Sequence, residues 1–147
     1  MAATIQLDEH PSADELRQLV DGVRRFNRNI AGYEPPRAVA SFLRDNDGRM
    51  VGGAHGDIWG CSVHIAAMWV DESQRGKGHG SALLKAVEDY AAEHGCVLAY
   101  LETTSFQARP FYEGLGYRVF GELAGIAEGC TMFFLKKELI ASVSERC

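Results

Sequence analysis

The stretch Trp69-Val70-Asp71-Glu72-Ser73-Gln74-Arg75-Gly76-Lys77-Gly78-His79-Gly80-Ser81 constrains the fold more than any other part of the chain. An almost continuously apolar run, Cys61 to Val70, leads into it and reads as a strand covered on both faces. The pattern from Gly80 to His94 leads out and reads as an amphipathic helix. Leu83, Leu84, Val87, Tyr90 and Ala91 point inward, and Lys85, Glu88, Asp89 and Glu93 point outward. Between the two, alternating glycines let the backbone bend sharply and approach a ligand closely. The free N–H groups and positive dipole end of the helix face back onto the loop. Arg75 and Lys77 add two cationic side chains to that corner. Strand, glycine turn and helix N-terminus together predict an anion site, with a phosphate as the expected anion.

The loop fits neither of the two commonest phosphate motifs. A P-loop needs Gly-Lys-Ser/Thr at its end, and here Gly78 is followed by His79. The dinucleotide fingerprint needs G-x-G-x-x-G after an N-terminal strand, whereas these glycines stand at 76, 78 and 80 in mid-chain. What remains is Arg75-x-x-Gly78-x-Gly80.

A chain of 147 residues suits one domain, 1–147, with a core of its own. A formal charge of −5 argues against a general nucleic-acid binder and suits a cationic amine substrate. Cys61, Cys96, Cys130 and Cys147 show no CxxC spacing, and His10, His55, His64, His79 and His94 do not join them at ligand spacings. Free thiols are expected, with no metal site. No apolar run reaches membrane-spanning length and the N-terminus lacks a signal core, so the expectation is a cytoplasmic protein without membrane contact.

Taken in order, Thr4 to Leu7 reads as a first strand. Ser12 and Glu15 form a capping box that opens a helix burying Leu16, Leu19, Val20, Val23 and Phe26, with Arg17, Arg24, Arg25 and Arg28 on its other faces. Asn29 to Arg37 is a loop; it either lines a pocket or simply connects. Ala38 to Arg44 and the residues from Met50 form a hairpin about Asn46-Asp47-Gly48. Along Cys61–Val70, strict alternation puts His64 on one face with Ser62, Ala66 and Met68. Val97 to Thr104 is a further strand carrying the lone carboxylate of Glu102, and Gln107 to Leu115 is a short helix. Tyr117 to Leu123 and Thr131 to Leu139 are a last pair of strands joined by a Gly/Ala-rich loop, and Ser142 to Cys147 is a mobile tail.

Ser105-Phe106-Gln107-Ala108-Arg109-Pro110-Phe111-Tyr112-Glu113-Gly114-Leu115-Gly116-Tyr117 completes the picture. Together with the Arg75-x-x-Gly78-x-Gly80 loop it resembles the GNAT superfamily of N-acetyltransferases. In that family a polar residue, an Ala three later, a Tyr seven later and a Gly-aromatic end follow the fifth strand. The resemblance implies an α/β fold: a mixed, strongly twisted sheet of six to seven strands, the fourth and fifth splayed apart around acetyl-CoA. It implies that Met68, Trp69 and Val70 meet the thioester and pantetheine arm. By the same resemblance Arg75, Gly76, Lys77, Gly78, His79, Gly80 and Ser81 hold the pyrophosphate. Ser105 stands where many members carry Asn. A homodimer is also expected by this analogy.

Acetyl transfer to an amine needs a neutral amine, a polarised carbonyl and a protonated leaving thiolate. An alkylammonium with a pKa of about 10 has no lone pair to attack with. One fixed donor at the developing oxyanion is worth roughly 3–4 kcal/mol. Tyr112 resembles the family's acid for the leaving sulfur. His64 stands near where some members place a catalytic glutamate, and an imidazole can take the amine proton; Glu102 is the competing base, and ordered water is a third option. Either carboxylate or imidazole could equally be structural. The expected activity is acetyl-CoA-dependent N-acetylation of a small-molecule primary amine in a ternary complex. A protein or peptide acceptor, or a non-catalytic acyl-CoA sensor, are the alternatives.

Overall fold

The computed structural model describes residues 2–106 and 108–139. They fall into two compact units, Met1–Pro35 and Pro36–Cys147. The tail at 142–147 and Gln107 lie outside the described residues.

In the first unit the expected strand at Thr4–Leu7 is irregular backbone. Helix α1, Ala13–Ala31, begins as the sequence implies. The Ser12 hydroxyl accepts from the Glu15 N–H at 3.2 Å, and the Glu15 carboxylate accepts from the Ser12 N–H at 3.0 Å. The helix takes in Asn29–Ala31, which had read as loop, and closes on Gly32, whose φ of 69° lets its N–H reach the Arg28 carbonyl. The apolar stripe recurs at helical spacing but is not buried: Leu19 is 67% and Phe26 63% exposed. This unit has one helix and no second element of its own to cover the stripe.

In the second unit six strands form one mixed sheet in the order β1-β2-β3-β4-β6-β5. They are β1 Arg37–Arg44, β2 Met50–Trp59, β3 Ser62–Val70, β4 Leu98–Thr104, β5 Arg118–Ala127 and β6 Cys130–Glu138. All neighbours are antiparallel except β3 and β4. Helix α2, His79–Glu93, packs Leu83, Leu84, Val87 and Ala91 onto one face of the sheet, against Ala54, Val63, Ile65 and Leu101. Gly56 makes that approach possible. A Cβ there would stand 2.8 Å from Val63 Cγ2 and 3.0 Å from Val87 Cγ1. The short α3 spans Arg109–Gly114, with Pro110 in its first turn, where the missing N–H is no loss.

Four expectations are corrected in this unit. Glu88 points inward and is buried, because Tyr117 and Lys137 satisfy its carboxylate there. The Gly/Ala-rich stretch after Leu123 continues β5 to Ala127, and a tight turn at Gly129 (φ 67°) delivers the chain into β6. The strand β3 is covered on both faces only in its first half; Ala66, Ala67 and Trp69 are exposed. Finally, alternation along β3 is broken. His55 pairs with Ala67 and Gly56 with Ile65, so Ala66 bulges out between two registers. The inserted residue reverses the phase: Met68 pairs with buried Ala54, whereas His64 pairs with Asp57 on the opposite face. His64 and Met68 therefore do not share a face.

Beyond His64 the two central strands part. Parallel pairing of β3 with β4 is limited to Ser62–Leu98, Val63–Ala99 and His64–Tyr100. The rest of β3 faces a gap, as the splayed-strand expectation requires. Among the described residues no helix is long and apolar enough to cross a membrane.

Candidate active site

The glycine loop is held from its first residue. Asp71 caps a single 3-10 turn, Glu72–Gln74, by accepting from the Ser73 N–H at 3.0 Å, and the Ser73 hydroxyl holds its carboxyl below the usual range. Arg75 Nε donates to the Val70 carbonyl at 2.9 Å, folding the side chain back along the end of β3. Gly76 and Gly78 then take φ of 74° and 80°, a region costly to residues with a Cβ. At neither position would a Cβ meet any atom within 4 Å, so the backbone here borders open space. Helix α2 begins at once. No side chain caps it and no acid stands in its first turn, so nothing intrinsic answers its leading N–H groups and dipole.

These groups wall a cleft of about 470 Å³ that runs from Met68, Trp69 and Val70 past Arg75 to the start of α2. Gly80 closes its inner side, where a Cβ would stand 3.3 Å from Phe111 Cζ. Uncapped amides, an arginine and bare glycine backbone suit a diphosphate, and the apolar wall of Met68 and Phe111 suits the arm attached to it. The residues present therefore fit coenzyme A.

A second cleft of about 690 Å³ occupies the gap between β3 and β4 and is walled by Ile65–Met68 on one side and Leu101–Thr103 on the other. Tyr112 from α3 and Glu102 from β4 both line it. The two clefts share Met68, Arg75 and Ala108 as common wall. Tyr112 is largely enclosed, and burial alone pushes its phenol pKa up; no charge or hydrogen bond contributes. The hydroxyl thus keeps its proton at neutral pH.

His64 and Glu102, weighed separately in the sequence as bases, form one pair. His64 Nε2 lies 2.6 Å from Glu102 Oε2, both side chains about one-third exposed. The imidazole also rests against the Tyr100 ring, centroids 4.9 Å apart. Only Glu102 of the two lines the cleft; His64 stands behind it.

Nine of the expected cofactor residues line the first cleft: Met68, Trp69, Val70, Arg75, Gly76, Gly78, His79, Gly80 and Ser81. Two do not. Lys77 turns to Gln74, Nζ to Oε1 at 3.4 Å, and the Ser105 hydroxyl is taken by the Thr131 N–H of β6 at 3.2 Å. Gln74 and Phe111 line the cleft without having been singled out, and Ala108, read only as a motif position, lines it too. Phe111 lies within the Tyr112 segment, which was read for Ser105, Ala108, Tyr112 and the Gly-aromatic end and not for the residue beside the tyrosine. Cys96 and Cys130 are buried free thiols, and burial raises the Cys96 pKa, which removes it from consideration as a nucleophile. Cys61 departs from expectation in being disulfide-bonded.

The profile describing the Acetyltransferase (GNAT) family matches residues 4–117. A blasticidin-S acetyltransferase from Streptomyces morookaense is 35% identical over 106 residues, which is 71% of this chain and 78% of that protein. An acetyltransferase of Agrobacterium fabrum is 26% identical over 131 residues, 89% of this chain and 96% of its own length. Among solved structures, an acetyltransferase from Bacillus cereus superposes with a TM-score of 0.77 at 33% identity, covering 91% of this chain and 98% of the other.

Proposed function

The chain belongs to the acetyltransferase (GNAT) family, whose members use acetyl-CoA, and on that premise we propose that it acetylates the primary amine of a small molecule by direct transfer in a ternary complex. The observation that carries this reading is the continuity of the two clefts through Met68, Arg75 and Ala108. One cleft suits a diphosphate and its arm; the other is lined by the Glu102 carboxylate, with His64 bonded to it from behind, and by a protonated phenol. Similarity to an enzyme named for the small molecule blasticidin S supports a small acceptor.

Acetyl-CoA supplies an acetyl thioester. Arg75, the amides at Gly78–Ser81 and the backbone of Gly76 would hold its diphosphate, and the backbone of Met68 and Val70 would meet the thioester and arm. The amine arrives as a cation. Glu102, hydrogen-bonded to His64 at 2.6 Å, faces the amine and takes its proton. Where β3 parts from β4, a backbone N–H of β3 would polarise the thioester carbonyl. Tyr112, kept protonated by burial, gives its proton to the departing sulfur. We further propose that it works in the cytoplasm as one domain spanning residues 1–147 and as a homodimer, which light scattering on the purified protein tests.

The test is thiol release from acetyl-CoA across a panel of small amines, run beside Tyr112→Phe. Turnover of at least one amine, reduced tenfold or more by the substitution, is expected. Tight acetyl-CoA binding without turnover of any small amine would overturn the small-molecule reading.

A further inference from the structure

We propose that Tyr117, Glu88 and Lys137 form a positioning device for Tyr112, fixing from outside the cleft where its phenol stands; the inference rests on the reading of Tyr112 as proton donor. Helix α3 is only six residues long and neither end carries a side-chain cap. So short a helix has too few internal bonds to hold a side chain still, and the bond from the Tyr112 N–H to the Ala108 carbonyl is long at 3.3 Å. The restraint comes from the other side. The Tyr112 carbonyl accepts from the Tyr117 N–H at 3.1 Å, and the Tyr112 ring meets the Tyr117 ring edge-on, centroids 5.9 Å apart at 72°.

Tyr117 is itself fixed. Its ring is 3% exposed and its hydroxyl donates to Glu88 Oε1 at 3.1 Å. Glu88 comes from α2, the helix whose N-terminus walls the diphosphate cleft, and its other oxygen accepts from Lys137 Nζ at 2.7 Å. The Lys137 ammonium stands 5.6 Å from the Tyr117 ring, and its stem lies 3.6 Å from where a Cβ on Gly116 would be. Gly116 holds φ 95°, so the turn between α3 and β5 is pinned from beneath. Both Glu88 oxygens are thus taken, one by Tyr117 and one by Lys137, and the carboxylate is buried. None of the three residues shares the acceptor cleft with Tyr112. They are positioning residues, and their contacts tie the phenol to the helix that holds the donor.

The test is a double-substitution cycle on kcat with the parent protein, Tyr117→Phe, Tyr112→Phe and the two combined. Tyr117→Phe removes one hydroxyl and keeps the ring. A fall in kcat of at least fivefold is expected, with KM for acetyl-CoA within twofold of the parent, while in the Tyr112→Phe background the same change moves kcat less than twofold. An equal loss in both backgrounds would show a general structural role and overturn the proposal. So would an unchanged kcat in Tyr117→Phe while Tyr112→Phe is slow. If Tyr112→Phe is itself as fast as the parent, the proton-donor reading fails and takes this inference with it. NMR of the protein labelled at tyrosine ring carbons gives a readout that needs no acceptor. One sharp Tyr112 resonance is expected to broaden or double in Tyr117→Phe while the remaining tyrosines hold their shifts; an unmoved Tyr112 signal would count against the device.

Discussion

Replacing Lys137 with Met tests how firmly the Glu88 carboxylate is anchored. The parent pair is asymmetric: the Glu88 side chain is 8% exposed and the Lys137 side chain 28%. Removing the cation leaves a carboxylate inside the protein with one hydrogen bond, from Tyr117, in place of two. Breaking a buried pair from one side costs about 3–5 kcal/mol. The partial exposure of Lys137 admits water to the orphaned oxygen, which places the expectation at the lower bound, about 3 kcal/mol. Spread over the unfolding entropy of a chain this long, about 0.3 kcal/mol/K, that is a drop of about 10 °C in Tm. Removing both charges with Glu88→Met and Lys137→Met together should recover most of the loss. What stays is the unsatisfied Tyr117 hydroxyl, about 1 kcal/mol. Differential scanning calorimetry on the parent, the single and the double variant measures all three. A single variant melting within about 3 °C of the parent, roughly 1 kcal/mol on the same scale, or a double variant no better than the single, would refute the reasoning.

Two further outcomes follow from the same coordinates. Gly78→Ala forces a Cβ residue into φ 80° at a point where the new methyl touches nothing, so its cost is backbone strain alone, about 1–2 kcal/mol; relaxing that strain moves the first amides of α2, and titration calorimetry should find acetyl-CoA binding about tenfold weaker, whereas unchanged affinity would count against the cradle. Burial raises the pKa of both Tyr112 and Tyr117, so their contribution to stability is complete below about pH 10, where unfolded phenols begin to ionise, and declines as pH rises past it by up to about 1.4 kcal/mol per unit for each ring. Urea midpoints between pH 10 and 11 should fall less steeply for Tyr117→Phe than for the parent; identical slopes would mean Tyr117 ionises as freely in the fold as outside it.

The parts of the site that the sequence revealed are those written by local rules. A strand, a glycine turn and a helix start are each set by neighbours within a few residues, so the residues that line the first cleft were readable almost one by one, apart from Lys77 and Ser105. Their side chains found nearer partners in Gln74 and Thr131. What depends on register was not readable. His64 and Glu102 stand 38 positions apart, and only the pairing of β3 with β4 brings them within 2.6 Å. Glu88 looked like an outward charge because helical spacing says nothing about which partner a neighbouring strand will offer; Lys137, 49 positions later, decides it. The α1 stripe shows the same limit from the other side, since spacing identified the apolar face correctly and could not say what covers it.

The bulge at Ala66 and the parting of β3 from β4 are two halves of one arrangement. Were β3 regular, the side chain of residue 68 would emerge on the same face as His64, and the apolar wall around Met68 would compete for space with the His64–Glu102 pair. The extra residue sends Met68 and Val70 to the α2 face, where Gly80 and Phe111 complete an apolar wall, and leaves His64 and Glu102 on the other. Divergence beyond His64 then opens the sheet between them, so backbone that would have been spent on a ladder becomes available to a ligand. On the proposed reading, the donor is held from one side of the sheet and the acceptor's proton is removed from the other, with the reacting atoms meeting in the gap. A bulge without the gap would bury the pair behind a continuous ladder, and a gap without the bulge would put both tasks on one face.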